Sequence, residues 1–370
     1  MSPAALRARA CAACGAVATD DALFCEACGT DLPTPVRATR EVPSGPAAEV
    51  LAAQGDDAGA WACLECGHPV VQDGYCASCG AMAPLPRDHM VERPRSWVAG
   101  VSDRGRRHHR NEDAMALAAD EDPGSRAVLV VCDGVSSSQD SDVAALAAAR
   151  AARDVLIAPG ARGMDTNSGL AAVMGARIEA AADAASEAVA AATSVDHGDS
   201  PPSCTFVCAV LDRGRIVVGV VGDSRAYWLP DAGEAQALTV DDSWAAEQIA
   251  AGQTRAAAES GAQAHAITRW LGVDAPDHAP RLTSRAVDTP GWLLLCSDGL
   301  WNYCSEAVSM AEVVRQSAAA AGGDPLATAS GLIGWANSQG GPDNITVVLA
   351  RLGTEVPVPV SDETDGGDPR

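Results

Sequence analysis

Residues 128–134 read Val128-Leu129-Val130-Val131-Cys132-Asp133-Gly134, an apolar run that stops on a carboxylate and a glycine. A short run without polar alternation suits a strand buried on both faces. The pattern returns at Leu293-Leu294-Leu295-Cys296-Ser297-Asp298-Gly299. Asp343 follows Gly340-Gly341-Pro342 and leads into the apolar run Ile345 to Leu349. A charge at the mouth of a buried strand is costly unless an opposite charge compensates it. Three such aspartates, each beside a glycine or a glycine-rich loop, point to one shared compensating centre.

Two further acidic strings lie between and before these: Arg110-Asn111-Glu112-Asp113 and Gly222-Asp223-Ser224-Arg225. Gathering this many carboxylates suits hard divalent cations, because oxygen ligands match magnesium or manganese. The sequence therefore predicts a metal-dependent hydrolase. After Asp133 and Asp298, Gly134 and Gly299 leave the backbone free to approach an ion.

Around these strings the chain alternates between strands and helices. Thr205 to Leu211 and Arg215 to Val221 read as strands joined by the tight turn Asp212-Arg213-Gly214. Ala226 to Leu229, Gly291 to Cys296 and Asn344 to Leu352 read as further strands. Asp142 to Ile157 and Leu170 to Thr193 are long and Ala-rich, as helices are. Asp241 to Gly252, Ser305 to Ala321 and Pro325 to Ser338 also read as helices. Paired helices between antiparallel strand runs predict an α+β sandwich; periodicity does not fix its topology.

The chain has 370 residues and a formal net charge of −23, and all 26 of its basic residues are Arg. Such a field repels nucleic acid unless a basic patch interrupts it. The richest Arg cluster, Arg104, Arg106, Arg107 and Arg110, lies inside the first acidic string. No apolar run is long enough to span a membrane, and Met1 to Ala10 lacks an apolar signal core. These features predict a cytoplasmic protein with no membrane association. The Ala, Gly, Pro and Arg bias fits a bacterial source.

Eight of the 13 cysteines form four Cys-x-x-Cys pairs. They comprise Cys11, Cys14, Cys25 and Cys28, then Cys63, Cys66, Cys76 and Cys79. Each pair brings two sulfurs to one ion, and two pairs complete a tetrahedral site. Two structural Zn²⁺ ions are expected; redox dithiols are the alternative, without a thioredoxin-like setting. The cysteine sets resemble double zinc ribbons. Neither holds an Arg, which favours protein contact or regulation over nucleic-acid binding. Cys132, Cys204, Cys208, Cys296 and Cys304 read as small buried hydrophobes.

The acidic strings, taken in order as Asn-Glu-Asp, Asp-Gly, Gly-Asp-Ser-Arg, Ser-Asp-Gly-Leu and Gly-Pro-Asp-Asn-Ile-Thr, resemble the PPM-type metal-dependent serine/threonine protein phosphatases of bacterial type, the protein phosphatase 2C family. The resemblance covers roughly Val98 to Leu352. It implies a four-layer α-β-β-α sandwich with Mn²⁺ or Mg²⁺ at one end. Asp133 would bridge two ions, joined by the Gly134 carbonyl, Asp298 and Asp343. Glu112 would act through water, Asp113 would orient the attacking water, and Asp223 would help to hold a third ion. Water between two cations is acidified and can attack phosphoserine or phosphothreonine in line.

The family's phosphate-binding Arg falls on His108. Arg107 or Arg110 would then supply the guanidinium, or His108 would touch phosphate itself. Asp133-Gly134-Val135-Ser136-Ser137 lacks the family's further glycines. Phosphorylated proteins, and a serine/threonine kinase or its targets, are the implied partners. A catalytically weak scaffold that binds phosphoproteins is the competing reading.

The expected domains are a zinc ribbon at 1–32, a linker at 33–60 and a second ribbon at 61–83. A linker at 84–96, the phosphatase domain at 97–353 and a disordered acidic tail at 354–370 follow.

Overall fold

The computed structural model describes residues 8–10, 17–19, 76, 78, 85–158, 167–192, 200–261, 263 and 266–353. Seven of the eight ribbon cysteines, the 33–60 linker and the 354–370 tail lie outside the described residues; Cys76 is buried. The chain divides into two compact units, residues 1–60 and 61–370. In the first, β1 (Ala8–Ala10) and β2 (Val17–Thr19) form an antiparallel hairpin.

In the second unit β3 (His89–Arg95), β4 (Val98–Asp103), β5 (Ala114–Ala119) and β6 (Arg126–Cys132) come first. Helices α1 (Ser141–Ile157) and α2 (Asn167–Ala191) follow, then β7 (Ser203–Cys204), β8 (Phe206–Asp212), β9 (Arg215–Val221), β10 (Arg225–Pro230) and β11 (Gln236–Ala237). Next are α3 (Trp244–Ala250), α4 (Arg255–Glu259), β12 (Leu271–Gly272), β13 (Arg281–Ala286) and β14 (Gly291–Cys296). The final elements are α5 (Asp298–Trp301), α6 (Ala307–Ala320), α7 (Pro325–Ser338) and β15 (Ile345–Leu352).

Two antiparallel sheets result, in the orders β11-β10-β14-β15-β4-β3 and β13-β9-β8-β6-β5. The short strands β12 and β7 pair separately. Side-chain alternation explains the continuous apolar runs. On β6, Leu129 and Val131 face the other sheet, while Val128, Val130 and Cys132 face α1 and α2. On β14, Leu293 and Leu295 point to the inter-sheet core, and Leu294 and Cys296 point to the α6–α7 side. Three stacked cores separate four layers, the expected α-β-β-α sandwich. Ala144, Ala145, Ala148, Ala149 and Ala152 give α1 a small-residue face against its sheet.

Residues 89–95, read from the sequence as linker, form the edge strand β3 on β4. Pro94 and the charged neighbours Glu92, Arg93 and Arg95 resemble a linker in composition, yet they are residues an edge strand tolerates. The turn predicted at Asp212-Arg213-Gly214 joins β8 to β9, with positive φ at Arg213 and Gly214. All five cysteines beyond the ribbons are buried, as their apolar neighbours predict. Among the described residues, no helix is long and apolar enough to cross a membrane.

Candidate functional site

The carboxylates gather where strand ends meet. Asp133 leaves the end of β6, and its backbone is fixed on both sides by Thr205. Its N–H donates to Thr205 Oγ1 (3.1 Å), and its carbonyl accepts from Thr205 N (2.7 Å). Thr205 Oγ1 also contacts Ser224 Oγ at 2.8 Å, joining the Asp133 floor to the Asp223 loop. Asp298 opens α5 directly after β14. Asp343 precedes β15, and Asn344 N donates to its Oδ1 at 2.8 Å.

Two glycines make this convergence possible through close approach. A Cβ on Gly299 would lie 2.0 Å from the Asn344 carbonyl oxygen. A Cβ on Gly105, which has φ +72°, would lie 2.0 Å from the Asp343 carbonyl oxygen. The first acidic string is tied to the same point by Asn344. Its Oδ1 accepts from Glu112 N (2.8 Å), and its Nδ2 donates to the carbonyls of Arg104 (2.8 Å) and Arg110 (3.0 Å).

Asp113 is fully buried, and its Oδ2 accepts from Ser297 Oγ (2.7 Å) and Thr346 Oγ1 (2.8 Å). Its Oδ1 is buried without a hydrogen-bond partner. Burial, opposed by those hydroxyls, pushes the Asp113 carboxyl up to about 6. Burial and then the charge of Asp241, opposed by Arg225, push Asp223 up to about 7. Asp133 and Asp298 are raised well above the carboxylate range, first by burial. At Asp133 the charges of Asp113, Asp298, Asp343 and Asp223 add to this, and at Asp298 those of Asp343, Asp223 and Asp113.

Oxygen donors that repel one another this strongly, with one buried oxygen unpartnered, fit hard divalent cations. As they stand, no group of three or more His, Cys, Asp or Glu among the described residues is closed tightly enough to hold an ion. His108 Nε2 meets Asp343 Oδ1 at 3.1 Å. Glu112 accepts from Arg110 (Nη2, 2.8 Å), Ser141 Oγ (2.7 Å) and Ser136 Oγ (2.8 Å).

Arg110 is thus turned onto Glu112, with Asp142 at 3.5 Å, rather than held free for a substrate. Arg107 is exposed, and its charge is felt at the Tyr303 phenol together with those of Asp343 and Asp298. His108 Nδ1 lies 3.7 Å from Glu112, and its pKa is raised, chiefly by the Asp343 hydrogen bond. Gly134 is buried and forms a bridge with Cys204.

A cleft of about 590 Å³ opens beside Asp343 and Gly299 and runs to α3 and α4. Arg225, Trp301 and Asp241 line it. Arg225 lies 3.5 Å above the Trp301 ring and pairs with Asp241 at 2.6 Å, and Trp301 Nε1 donates to the Asp223 carbonyl at 2.9 Å. Trp301 thereby ties the Asp223 loop to α5.

Sequence reasoning missed the supporting polar groups Asn344, Ser297, Thr346, Ser141 and Arg87. Asn344 and Ser297 adjoin the aspartates in the quoted strings, so adjacency was the available signal. For Arg87 nothing in the local sequence distinguished it.

The protein phosphatase 2C family model matches residues 102–329, and the double zinc ribbon model matches residues 11–80. The serine/threonine phosphatase stp of Listeria innocua is 28% identical over 250 residues, spanning 67% of this chain and 92% of that protein. The serine/threonine protein phosphatase PstP of Mycobacterium tuberculosis is 30% identical over 258 residues, spanning 68% of this chain and 44% of that protein. A crystal structure of the PstP catalytic domain with two manganese ions aligns with TM-score 0.52 and 27% identity, covering 72% of this chain and all of that one. With the family model spanning most of the sandwich that carries the clustered aspartates, the chain belongs to the protein phosphatase 2C family.

Proposed function

We propose that this phosphatase hydrolyses phosphoserine and phosphothreonine in proteins, using two divalent cations, Mn²⁺ or Mg²⁺, with a weaker third near Asp223. The observation that carries the reading is the convergence of Asp113, Asp133, Asp223, Asp298 and Asp343, each raising the others' proton affinity or raised by them. Asp133, the Gly134 carbonyl, Asp298 and Asp343 would hold the pair, with Glu112 acting through water. Bound cations would supply positive charge for the phosphoryl oxygens and acidify water.

The chain's own residues do the positioning. Asp113, with one buried oxygen unpartnered, is suited to orient the attacking water. Arg107, exposed beside the site, takes the substrate phosphate with His108 next to it, while Arg110 braces Glu112. The cleft beside Asp343 accommodates the chain that carries the phosphate.

We place the phosphatase domain at 97–353, extended by β3, after zinc ribbons at 1–32 and 61–83. Each ribbon would hold one structural Zn²⁺ through Cys11, Cys14, Cys25 and Cys28, or through Cys63, Cys66, Cys76 and Cys79. They serve protein contact or regulation, with a serine/threonine kinase or its targets as the natural partner and the cytoplasm as the location.

Turnover of a phosphothreonine peptide and p-nitrophenyl phosphate should appear with Mn²⁺ or Mg²⁺ and vanish in EDTA. Turnover undiminished in EDTA would refute the metal mechanism. Phosphopeptide binding without turnover under any metal would favour the scaffold reading, which the His108 departure supports. For the ribbons, Cys11→Ser with Cys63→Ser should reduce phosphoprotein or kinase capture in a pulldown severalfold. Undiminished capture would remove a recruiting role.

A further inference from the structure

Outside the carboxylate cluster, one cation is built into the frame of the site. Arg87 lies in the segment that follows the double zinc ribbon, seven residues past Gly80. Its Nη2 donates to the carbonyl of Asp113 (3.1 Å) and to the carbonyl of Asp142 near the start of α1 (2.6 Å). Its own carbonyl accepts from Asn111 Nδ2 (3.1 Å). Asn111 Oδ1 in turn receives Asp113 N at 3.2 Å. One residue therefore grips the Asn111-Glu112-Asp113 string on both sides of Glu112.

The grip is anchored. Asp88 closes a turn with Leu85 (Asp88 N to Leu85 O, 2.8 Å; Leu85 N to Asp88 Oδ2, 2.9 Å). Arg104 N donates to the Asp88 carbonyl at 2.8 Å. Both bonds leave one nitrogen, Nη2, which thereby bridges the carbonyls of two separate elements.

We propose that Arg87 is a positioning residue for the reaction: it fixes the backbone of Asp113 against α1 and so couples the segment leaving the ribbons to the carboxylate site. The assignment rests on the phosphatase reading for its kinetic consequence only. The string it holds includes Glu112, which would reach the cations through water, and outer groups of this kind affect metal affinity or activity by roughly ten- to a hundredfold when removed.

The test uses the full chain with Arg87→Met and Arg87→Lys. The measurements are calorimetric Mn²⁺ affinity, amide hydrogen exchange across 111–114, and kcat and KM on a phosphothreonine peptide. Arg87→Met should weaken Mn²⁺ binding about tenfold. It should also speed exchange at 111–114 and lower kcat with KM unchanged. Arg87→Lys, which keeps a cationic nitrogen donor on a shorter side chain, should recover part of each and stands in if the Met variant fails to fold. Unchanged Mn²⁺ affinity and exchange in both variants, or a lowered melting midpoint as the sole effect, would overturn the proposal. If the parent turns over no phosphopeptide, the phosphatase reading fails, while the exchange and Mn²⁺ measurements still decide the role of Arg87.

Discussion

Asp133→Asn is expected to lower phosphopeptide turnover by at least about a thousandfold, near 4 kcal/mol of transition-state stabilisation, without weakening the metal-free fold. The amide keeps the size of the carboxylate, and the backbone bonds to Thr205 persist. What disappears is a charge raised by burial and repelled by Asp113, Asp298, Asp343 and Asp223. Without metal, that charge opposes folding. A native carboxyl with a raised pKa binds a proton that the unfolded chain releases, so stability falls as pH rises. For Asp223 the window runs from the ordinary 3.8 to about 7. Bound cation reverses the balance, adding about 2.7 kcal/mol at a hundred times its dissociation constant. The two proteins should therefore exchange order in melting experiments. Asp133→Asn melts at or above the parent in EDTA, and well below it in excess Mn²⁺. Retention of a tenth of the turnover, or a parent midpoint indifferent to Mn²⁺, would contradict the assignment.

The second large effect is expected at Arg225. Its side chain and that of Asp241 are 7% and 9% exposed, and they meet through Nη2–Oδ2 at 2.6 Å and Nε–Oδ1 at 2.9 Å. The guanidinium also covers Trp301 and donates to the Ser305 carbonyl at 3.2 Å. Removing one member of such a pair leaves a buried charge without compensation, at a cost of roughly 3–5 kcal/mol. Arg225→Met should therefore lower the melting midpoint by roughly ten degrees. The double variant Arg225→Met/Asp241→Leu should recover much of that loss, because neither charge is then stranded. A single-variant cost below about 1 kcal/mol would place the pair among weak surface contacts. Arg225 also offsets the repulsion at Asp223, so the single variant should bind metal less well there.

Much of the sandwich was legible because burial on both faces leaves a plain mark. The run at 291–296 became β14, and Pro325–Ser338 became α7, with the bounds expected. The carboxylates were legible for the same reason, since each stands where an apolar run begins or ends. Elements with solvent on one side were harder. β3 (HMVERPR) and the exposed edge strand β13 (RLTSRA) carry charges and no apolar block. The supporting polar groups were hidden by distance along the chain. Ser297 Oγ reaches Asp113 across 184 residues, and Asn344 reaches Glu112 across 232. Such pairings are created by the topology, and local composition carries no trace of them.

The position of β15 has a consequence for biosynthesis. This late strand lies inside its sheet, with β14 on one side and β4 on the other. Until it emerges from the ribosome, two inner strands present bare hydrogen-bonding edges, and Asn344 cannot knot the acidic loops together. Contacts this distant in sequence form slowly and leave nascent chains prone to mispairing. The enzyme can acquire its site only after β15 has been made, so catalytic competence reports that the whole sandwich has been completed.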